Sequence, residues 1–391
     1  MTIRNCPGCG SRQSEVFYEL GGVPTNSRLL LPSREEAIAL PRGDVVLEFC
    51  GVCGLVFNAA FDPDLVAEPS TYEQAYTHSP IFVAFLRRLA GQLIERYGLH
   101  GKEILEIGYG RGDFLALLCE LGANRGSGLN VGYPPDPWAQ TDARFRREPF
   151  SEDIAIGPTD LVCSSMLLEY AADPVRSLES LRRPLSLRKD ARLFLQVSNF
   201  LRTLRHFAFW EIHYAHCSCF TPGTLHRLLC AQGFSVSDIW TDFDGQYLMA
   251  DSRAADDGAA SCHPGATVET IAELAGLVAR FAHECREKQA LWCEILRRIA
   301  GAGNRIGIWG AGSSAAAFLT TLAVGDEVSY VIDPDPSRHG KYTPGTGHRV
   351  VAPDAMLARG PDVVIVMNSV LTFEIQELLA EAGRAPTILI A

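Results

Sequence analysis

The stretch Glu106-Ile-Gly-Tyr-Gly-Arg-Gly-Asp-Phe-Leu115 decides how the rest of the chain is read. It follows Lys102-Glu-Ile-Leu105, a short β-type run, and leads into Leu115-Ala-Leu-Leu-Cys-Glu-Leu121, which reads as a helix. A strand that breaks into glycines and re-enters a helix is a nucleotide-binding device. Glycines let the backbone approach a ligand, and the helix N-terminus offers N–H groups with no partner of their own. Glu106 stands two places before the first glycine and Asp113 directly after the third. A bare G-x-G-x-G also serves as a purely structural turn, so the flanking acids and the surrounding pattern carry the weight.

Outward from that stretch, strand and helix alternate. Gly126-Ser-Gly-Leu-Asn130, Thr159-Asp-Leu-Val-Cys163 and Arg192-Leu-Phe-Leu-Gln-Val197 read as further strands, with helices between them such as Asp173 to Leu185. The alternation predicts an α/β domain with a parallel, doubly wound (Rossmann-like) sheet whose ligands sit at the C-terminal strand ends. Upstream, Ile81, Phe82, Phe85, Leu86, Leu89, Leu93 and Ile94 recur at helical spacing, so an amphipathic helix from Pro80 to Tyr97 covers that sheet. Tyr72, Tyr76 and His78 precede it, where they either line a cleft or pack as ordinary aromatics. Downstream, 254–265 is small and polar and reads as a linker. A long helix then runs from about Val268 to Ala300, its apolar stripe suited to packing between domains or to pairing in an oligomer.

The last stretch is a second, smaller α/β unit. Arg305-Ile-Gly-Ile-Trp-Gly310-Ala-Gly312-Ser-Ser-Ala315 is a strand, glycine turn and helix start, and Asp333 ends Val328-Ser-Tyr-Val-Ile332. That spacing matches the dinucleotide fingerprint. Yet the unit has room for only about four strands, too few for two full mononucleotide halves. A site for a nucleotide-linked substrate, or a structural domain, fits better than an NAD(P) site.

At the other end, Cys6-Pro-Gly-Cys9 and Cys50-Gly-Val-Cys53 form two C-x-x-C knuckles. Each places two thiolates on one turn, and two such turns close a tetrahedron around structural zinc with no open position for chemistry. A redox dithiol and unrelated free thiols are the other readings. The segment between the knuckles is expected to be a small β-rich module, stabilised largely by its metal. The expected organisation is a zinc-binding module over 1–70, a nucleotide-binding α/β domain over 71–255, a connecting helix over 266–302 and a Rossmann-like domain over 303–391. The 391 residues carry a net charge of −11, which argues against a nucleic-acid partner. No apolar run reaches transmembrane length and the N-terminus lacks a signal-peptide core, so a cytoplasmic protein without a membrane partner is expected.

Taken together, these residues resemble the zinc-containing, S-adenosylmethionine (SAM)-dependent sugar C-methyltransferases that make branched deoxysugars. The resemblance covers nearly the whole chain. Glu106 to Leu115 looks like motif I of class I SAM methyltransferases. The two knuckles, Ile212-His-Tyr-Ala-His-Cys-Ser-Cys-Phe-Thr221, Gly310-Ala-Gly-Ser-Ser and Lys341-Tyr-Thr-Pro-Gly345 belong to the match as well. It implies a central class I methyltransferase domain, a nucleotide-linked ketosugar or similar carbonyl substrate from natural-product (antibiotic) biosynthesis, and an enolate that attacks the SAM methyl. His216 occupies the position of the family's catalytic histidine and would be the general base that forms the enolate, with Tyr214, His213 and Tyr170 shaping its pocket. Glu106, Gly108, Tyr109, Gly110, Gly112, Asp113 and Asn130 would hold SAM, and Cys6, Cys9, Cys50 and Cys53 zinc.

The chain also departs from that family. Ala215 stands where it has glutamate, His213 where it has tyrosine, and Cys219 where it has an aromatic residue. Leu168-Glu169-Tyr170 replaces Leu-Glu-His. Asn130 replaces the acid expected on the ribose, and Tyr109 is bulky where a small residue faces the methionine arm. Two other functions therefore stay open. One is a methyltransferase-fold enzyme that no longer transfers methyl and performs a displacement or ring closure. The other is a non-catalytic partner subunit. The substrate, the nucleotide and the choice among monomer, homodimer and hetero-complex are left undetermined.

Overall fold

The computed structural model describes residues 5–66, 79–108, 112–129, 143–146, 157–255, 268–354, 360–381 and 383–391. Tyr72, Tyr76, His78, Tyr109, Gly110, Asn130 and most of the expected linker lie outside them.

The chain opens on β1 (Ser14–Pro24), a short helix α1 (Arg34–Ala39), β2 (Arg42–Cys50) and β3 (Val56–Asn58). β1 pairs antiparallel with β2 and β2 with β3, so the expected β-rich module is a meander joining the two cysteine knuckles. Its fourth strand, Ser218–Cys219, comes from far downstream and pairs with β3 through Val56–Cys219 and Phe57–Ser218.

Helix α2 (Pro80–Tyr97) starts where Ser79 caps the Phe82 N–H ahead of Pro80, and stops at Gly98, which adopts the left-handed conformation a C-terminal cap needs. The central sheet follows with β4 (Glu103–Gly108), α3 (Asp113–Gly122), β5 (Arg125–Leu129), β6 (Ala143–Arg146), β7 (Leu161–Ser165), α4 (Pro174–Ser186) and β8 (Arg192–Ser198). Next come α5 (Phe200–His206), β9 (Ser218–Cys219), α6 (Pro222–Ala231), β10 (Phe234–Asp242) and β11 (Tyr247–Ala254). The strand order is β10-β11-β8-β7-β4-β5-β6. β11 alone runs against its neighbours, and the other pairings are parallel. This is the Rossmann-like sheet of class I methyltransferases. Its strands are buried on both faces because helices cover both, which is why Leu161–Cys163 and Leu193–Leu195 are continuous apolar runs.

The long helix is α7 (Ile271–Gly301), opened by a capping box between Thr270 and Glu273. Its buried stripe of Leu274, Val278, Phe281, Cys285, Trp292 and Leu296 shares one core with the first sheet and the last domain. Of the two uses its apolar stripe allows, packing between domains is therefore the observed one.

The last domain holds β12 (Ile306–Trp309), α8 (Ser313–Thr321), β13 (Val328–Ile332), β14 (Val350–Val351), β15 (Val363–Val366), α9 (Thr372–Glu381) and β16 (Thr387–Ile390). Its five strands are parallel, in the order β14-β13-β12-β15-β16. The expectation of about four strands is corrected: β14 is only two residues long and leaves no periodic signal in the sequence.

Candidate active site

Four sulfurs converge at the N-terminal module. The Sγ atoms of Cys6, Cys9, Cys50 and Cys53 all lie within 4.8 Å of one another. Cys6 and Cys53 approach to 3.6 Å, as do Cys9 and Cys50. A tetrahedron with Zn–S arms of about 2.3 Å has edges of about 3.8 Å, so the cluster has the shape zinc requires. None of the four is in a disulfide. The knuckle is also bonded to α6: Arg227 Nε donates to the Cys53 carbonyl at 2.8 Å and Thr224 Oγ1 to the Gly54 carbonyl at 3.1 Å.

A single cleft runs between the C-terminal strand ends of the central sheet and those of the last domain. One wall carries Glu106, Gly112, Asp113, Ser165 and Ser198, and the other Trp309, Gly310, Ser313, Asp333 and Met367. At the first wall Gly112 is left-handed (φ 79°) and opens α3, whose first turn holds the Glu106 carboxyl group through the backbone of Leu115. Burial, reinforced by the nearby Asp113, raises Glu106 to about 7. Gly108 serves a close approach between strands, since a Cβ there would lie 2.8 Å from the Ser165 carbonyl oxygen. The described glycine and acid positions of the motif thus gather at one end of the cleft, beyond β4.

The middle of the cleft belongs to the 209–219 segment, whose end is held by β9 on β3 and by the Asn58 N–H donating to the Cys217 carbonyl at 3.0 Å. His213 and His216 sit on one turn, closed by the His216 N–H on the His213 carbonyl at 3.2 Å, and both line the cleft. His216 Nε2 lies 3.0 Å from the Tyr170 hydroxyl. The Tyr170 ring meets the His216 ring edge-on at 4.8 Å, and the His213 ring does so at 5.0 Å. Burial, then His213, then Arg28 push His216 well below the usual histidine range, and burial followed by Arg28 takes His213 to about 3. Both imidazoles are therefore neutral at physiological pH, and Nε2 of His216 shares a hydrogen bond with the phenol. His213 Nδ1 is buried without a hydrogen-bond partner.

Tyr214 is placed differently from the expectation that it shapes this pocket. It is 1 % exposed, tilts against Phe61 at 5.6 Å, and its hydroxyl accepts the Asp62 N–H at 2.9 Å. Tyr214 thus packs into the N-terminal module while His213 and His216 face the cleft.

Sequence reasoning missed several residues here. Glu169 lines the cleft at 1 % exposure; one carboxylate oxygen accepts the Ser198 N–H at 2.6 Å and the other is buried with no partner. Burial raises its pKa. Arg28 reaches in from the zinc module, its guanidinium carbon 5.6 Å from the centre of the Tyr170 ring. Glu211, raised to about 7 by burial, accepts a hydrogen bond from Ser314 Oγ at 3.1 Å across the domain junction. None of these had a local sequence signal apart from Glu169, which falls within the Leu168–Tyr170 signature.

On the facing wall Asp333 is already committed. One oxygen accepts the Ala311 N–H at 2.8 Å and Arg338 Nη1 at 3.2 Å, and the other accepts the Asp335 N–H at 2.9 Å. An acid so engaged braces its own glycine turn and leaves little for a ribose, which weighs against a dinucleotide there despite the fingerprint.

Among known proteins, a family model described as "C-methyltransferase C-terminal domain" matches residues 266–390, and one described as "Methyltransferase domain" matches residues 82–239. C-methyltransferase NovU of Streptomyces niveus is 25% identical over 408 residues, covering 98% of this chain and 94% of its own. The 1,6-didemethyltoxoflavin-N1-methyltransferase of Burkholderia thailandensis, solved with 1,6-didemethyltoxoflavin and S-adenosylhomocysteine, is 18% identical with a TM-score of 0.37. That match covers 52% of this chain and 96% of its own. Magnesium protoporphyrin IX methyltransferase of Synechocystis PCC 6803, with bound S-adenosylhomocysteine, is 16% identical at a TM-score of 0.35, covering 45% and 84%.

Proposed function

We propose that this protein, a divergent member of the SAM-dependent C-methyltransferase family, methylates carbon beside the carbonyl of a nucleotide-linked ketosugar or similar intermediate of natural-product biosynthesis. The reading rests on one arrangement. His216, hydrogen-bonded to Tyr170, lines a cleft bounded at one end by Glu106, Gly112 and Asp113 and on its far wall by a second glycine turn. A helix opened by a left-handed glycine, with two acids lining the same end, suits SAM. That cofactor supplies a methyl group on a sulfonium, an electrophile that a carbanion can attack.

The chain's own residues have to make that carbanion. Neutral His216 is in its proton-accepting form and lines the cleft, with the Tyr170 phenol hydrogen-bonded to its Nε2. His216 takes the proton from substrate carbon, and Tyr170 holds its ring through the contact at Nε2. Because burial makes the imidazolium costly, the transfer is favourable only while negative charge develops on the substrate beside it. The dry, apolar flanks (Phe82, Leu86, Phe114 and Phe200) exclude water that would compete for the carbanion. The facing wall, with the N-terminus of α8 behind Gly312, is the place for the phosphates of the substrate's nucleotide. Zinc, in this reading, holds the cysteine knuckles and takes no part in the chemistry.

Calorimetric titration with SAM and turnover of His216→Ala test the proposal. Native protein should bind SAM and exchange the α-proton of thymidine-diphosphate-linked 4-keto-6-deoxyglucose with deuterated solvent. His216→Ala should bind SAM as tightly and neither exchange nor methylate. Absence of SAM binding, or full turnover by the variant, would refute it.

A further inference from the structure

Glu169 sits on the short turn after β7, and Ser198 ends β8, so the two meet where adjacent parallel strands deliver their C-terminal ends to the cleft. The turn is held from several sides. The Tyr170 N–H closes it on the Leu167 carbonyl at 3.0 Å, the Cys217 thiol donates to the Glu169 carbonyl at 3.6 Å, and Ser218 Oγ donates to the Ala171 carbonyl at 3.1 Å. A group that must meet a ligand is fixed in this way by its surroundings. Holding the Ser198 N–H takes one carboxylate oxygen, at 2.6 Å, and the other, Oε2, is buried with no partner. A purely structural acceptor for one N–H has no use for that second oxygen, and leaving it unpaired away from water is a cost. Burial raises the carboxyl's pKa against the opposing pull of the Ser198 hydrogen bond and the Arg28 charge, so the group still lacks a donor that would offset its burial. Ser165, Gln196, Ser198 and Ser218 line the same cleft, neutral hydrogen-bonding side chains that suit a polyol better than an apolar ligand.

We propose that Glu169 binds a hydroxyl group of the substrate through Oε2, and so selects a sugar ring that carries a hydroxyl near the carbon being methylated. The inference rests on the ketosugar reading above and narrows it: the substrate must be hydroxylated, not merely carbonyl-bearing. No bond is made or broken at Glu169. A carboxylate accepts the hydroxyl's hydrogen, and a protonated carboxyl donates to the hydroxyl's oxygen, so a hydroxyl completes the group in either state. A carbonyl or ether oxygen, which only accepts, would pair with the protonated form alone. With its other oxygen anchored on the β8 backbone, Glu169 fixes the ring's position in the cleft that His216 also lines. An analogue without that hydroxyl leaves a buried oxygen unpaired, and a site built to hydrogen-bond a hydroxyl rejects such an analogue strongly.

The test crosses ligand changes with protein changes in full-length, zinc-loaded protein. Calorimetry measures thymidine-diphosphate-linked 4-keto-6-deoxyglucose and its 2-deoxy and 3-deoxy counterparts against native protein, Glu169→Gln and Glu169→Leu. Native protein should bind one of the two deoxy sugars about tenfold more weakly than the parent, or worse. Glu169→Leu should bind the parent as weakly as native protein binds that analogue and should no longer distinguish the two, because losses from removing residue and hydroxyl do not add. Glu169→Gln keeps an acceptor for the Ser198 N–H and offers the ring an amide, so it should fall between, with native SAM affinity and melting temperature. It also decides the matter should the leucine variant unfold. No discrimination by native protein, or discrimination as strong in the folded variants as in native protein, overturns the role given to Glu169. If discrimination depends on Glu169 but native protein exchanges no ketosugar proton with deuterated solvent, the methylation reading fails and the hydroxyl site stands. If native protein exchanges that proton and the variants discriminate as it does, the site fails and the methylation reading stands. Native protein that binds none of the three sugars refutes both.

Discussion

Glu211 offers a quantitative test of how the cleft is closed. It lies half-buried on the turn after α5, between the central domain and α8, where Phe209 stacks on Phe318 at 5.8 Å and Ser314 Oγ donates to its carboxylate at 3.1 Å. Burial raises it from about 4.5 to about 7. A carboxyl whose folded-state pKa is raised contributes stability that is complete below the unfolded value and is lost as pH climbs through the folded one. Above about pH 7 the native state therefore carries the cost of a buried charge. At 1.36 kcal/mol per pH unit that cost is about 3 kcal/mol. Glu211→Gln keeps the oxygen that accepts from Ser314 and removes the charge. At pH 8 it should stabilise by up to about 3 kcal/mol, and at pH 5, where the native carboxyl is still protonated, by less than about 1 kcal/mol. With an unfolding entropy of about 2.1 cal/mol/K per residue, the pH 8 gain is about 4 °C in Tm if the chain melts as one unit. Thermal melts of both proteins at pH 5, 6.5 and 8 decide the matter. A gain of equal size at every pH, or a loss at pH 8, would show that the carboxylate is not buried across this junction as described.

The remaining predictions concern the zinc module. Cys50→Ser should lose the metal, whose binding contributes about 10–16 kcal/mol in small zinc domains, and with it methyl transfer, because β3 carries β9 beside His216. Metal analysis alongside turnover checks this, and full activity in metal-free protein would count against the coupling. Gly43→Ala places a Cβ 2.2 Å from the Tyr214 ring, and such overpacking should cost about 1–3 kcal/mol. An unchanged melting temperature would mean that Tyr214 does not pack there.

What could be read in advance was local. The run from Lys102 to Leu121 carries strand, glycine and helix signals within one window, and β4 and α3 fall there. The four cysteines announce their own chemistry, and their sulfurs meet. What escaped depends on distant parts of the chain meeting. β9 is two residues long and exists only because β3 offers an edge, so no period could reveal it. Arg28 stands in an unremarkable loop and acquires its meaning from Tyr170, which the fold brings under it. Asp333 fits a fingerprint perfectly by spacing, yet Arg338 and the Ala311 N–H occupy it.

The departures from the family pattern look different once the rings are placed. The resemblance calls for tyrosine at 213 and histidine at 170, and this chain has the reverse. Both rings flank His216 edge-on, at 5.0 and 4.8 Å, so the exchange leaves one phenol and one further imidazole around it. The glutamate expected at 215 is a buried alanine, while the Glu169 carboxylate retains an unpartnered oxygen in the same cleft. A decayed site would be expected to lose its polar groups to packing, because an unpaired buried polar atom costs about 1–3 kcal/mol. Here the unpartnered Glu169 oxygen and the buried Nδ1 of His213 persist in the same cleft. Retaining both against that cost argues for a pocket that meets a polar substrate, with its proton-handling groups redistributed among neighbouring positions.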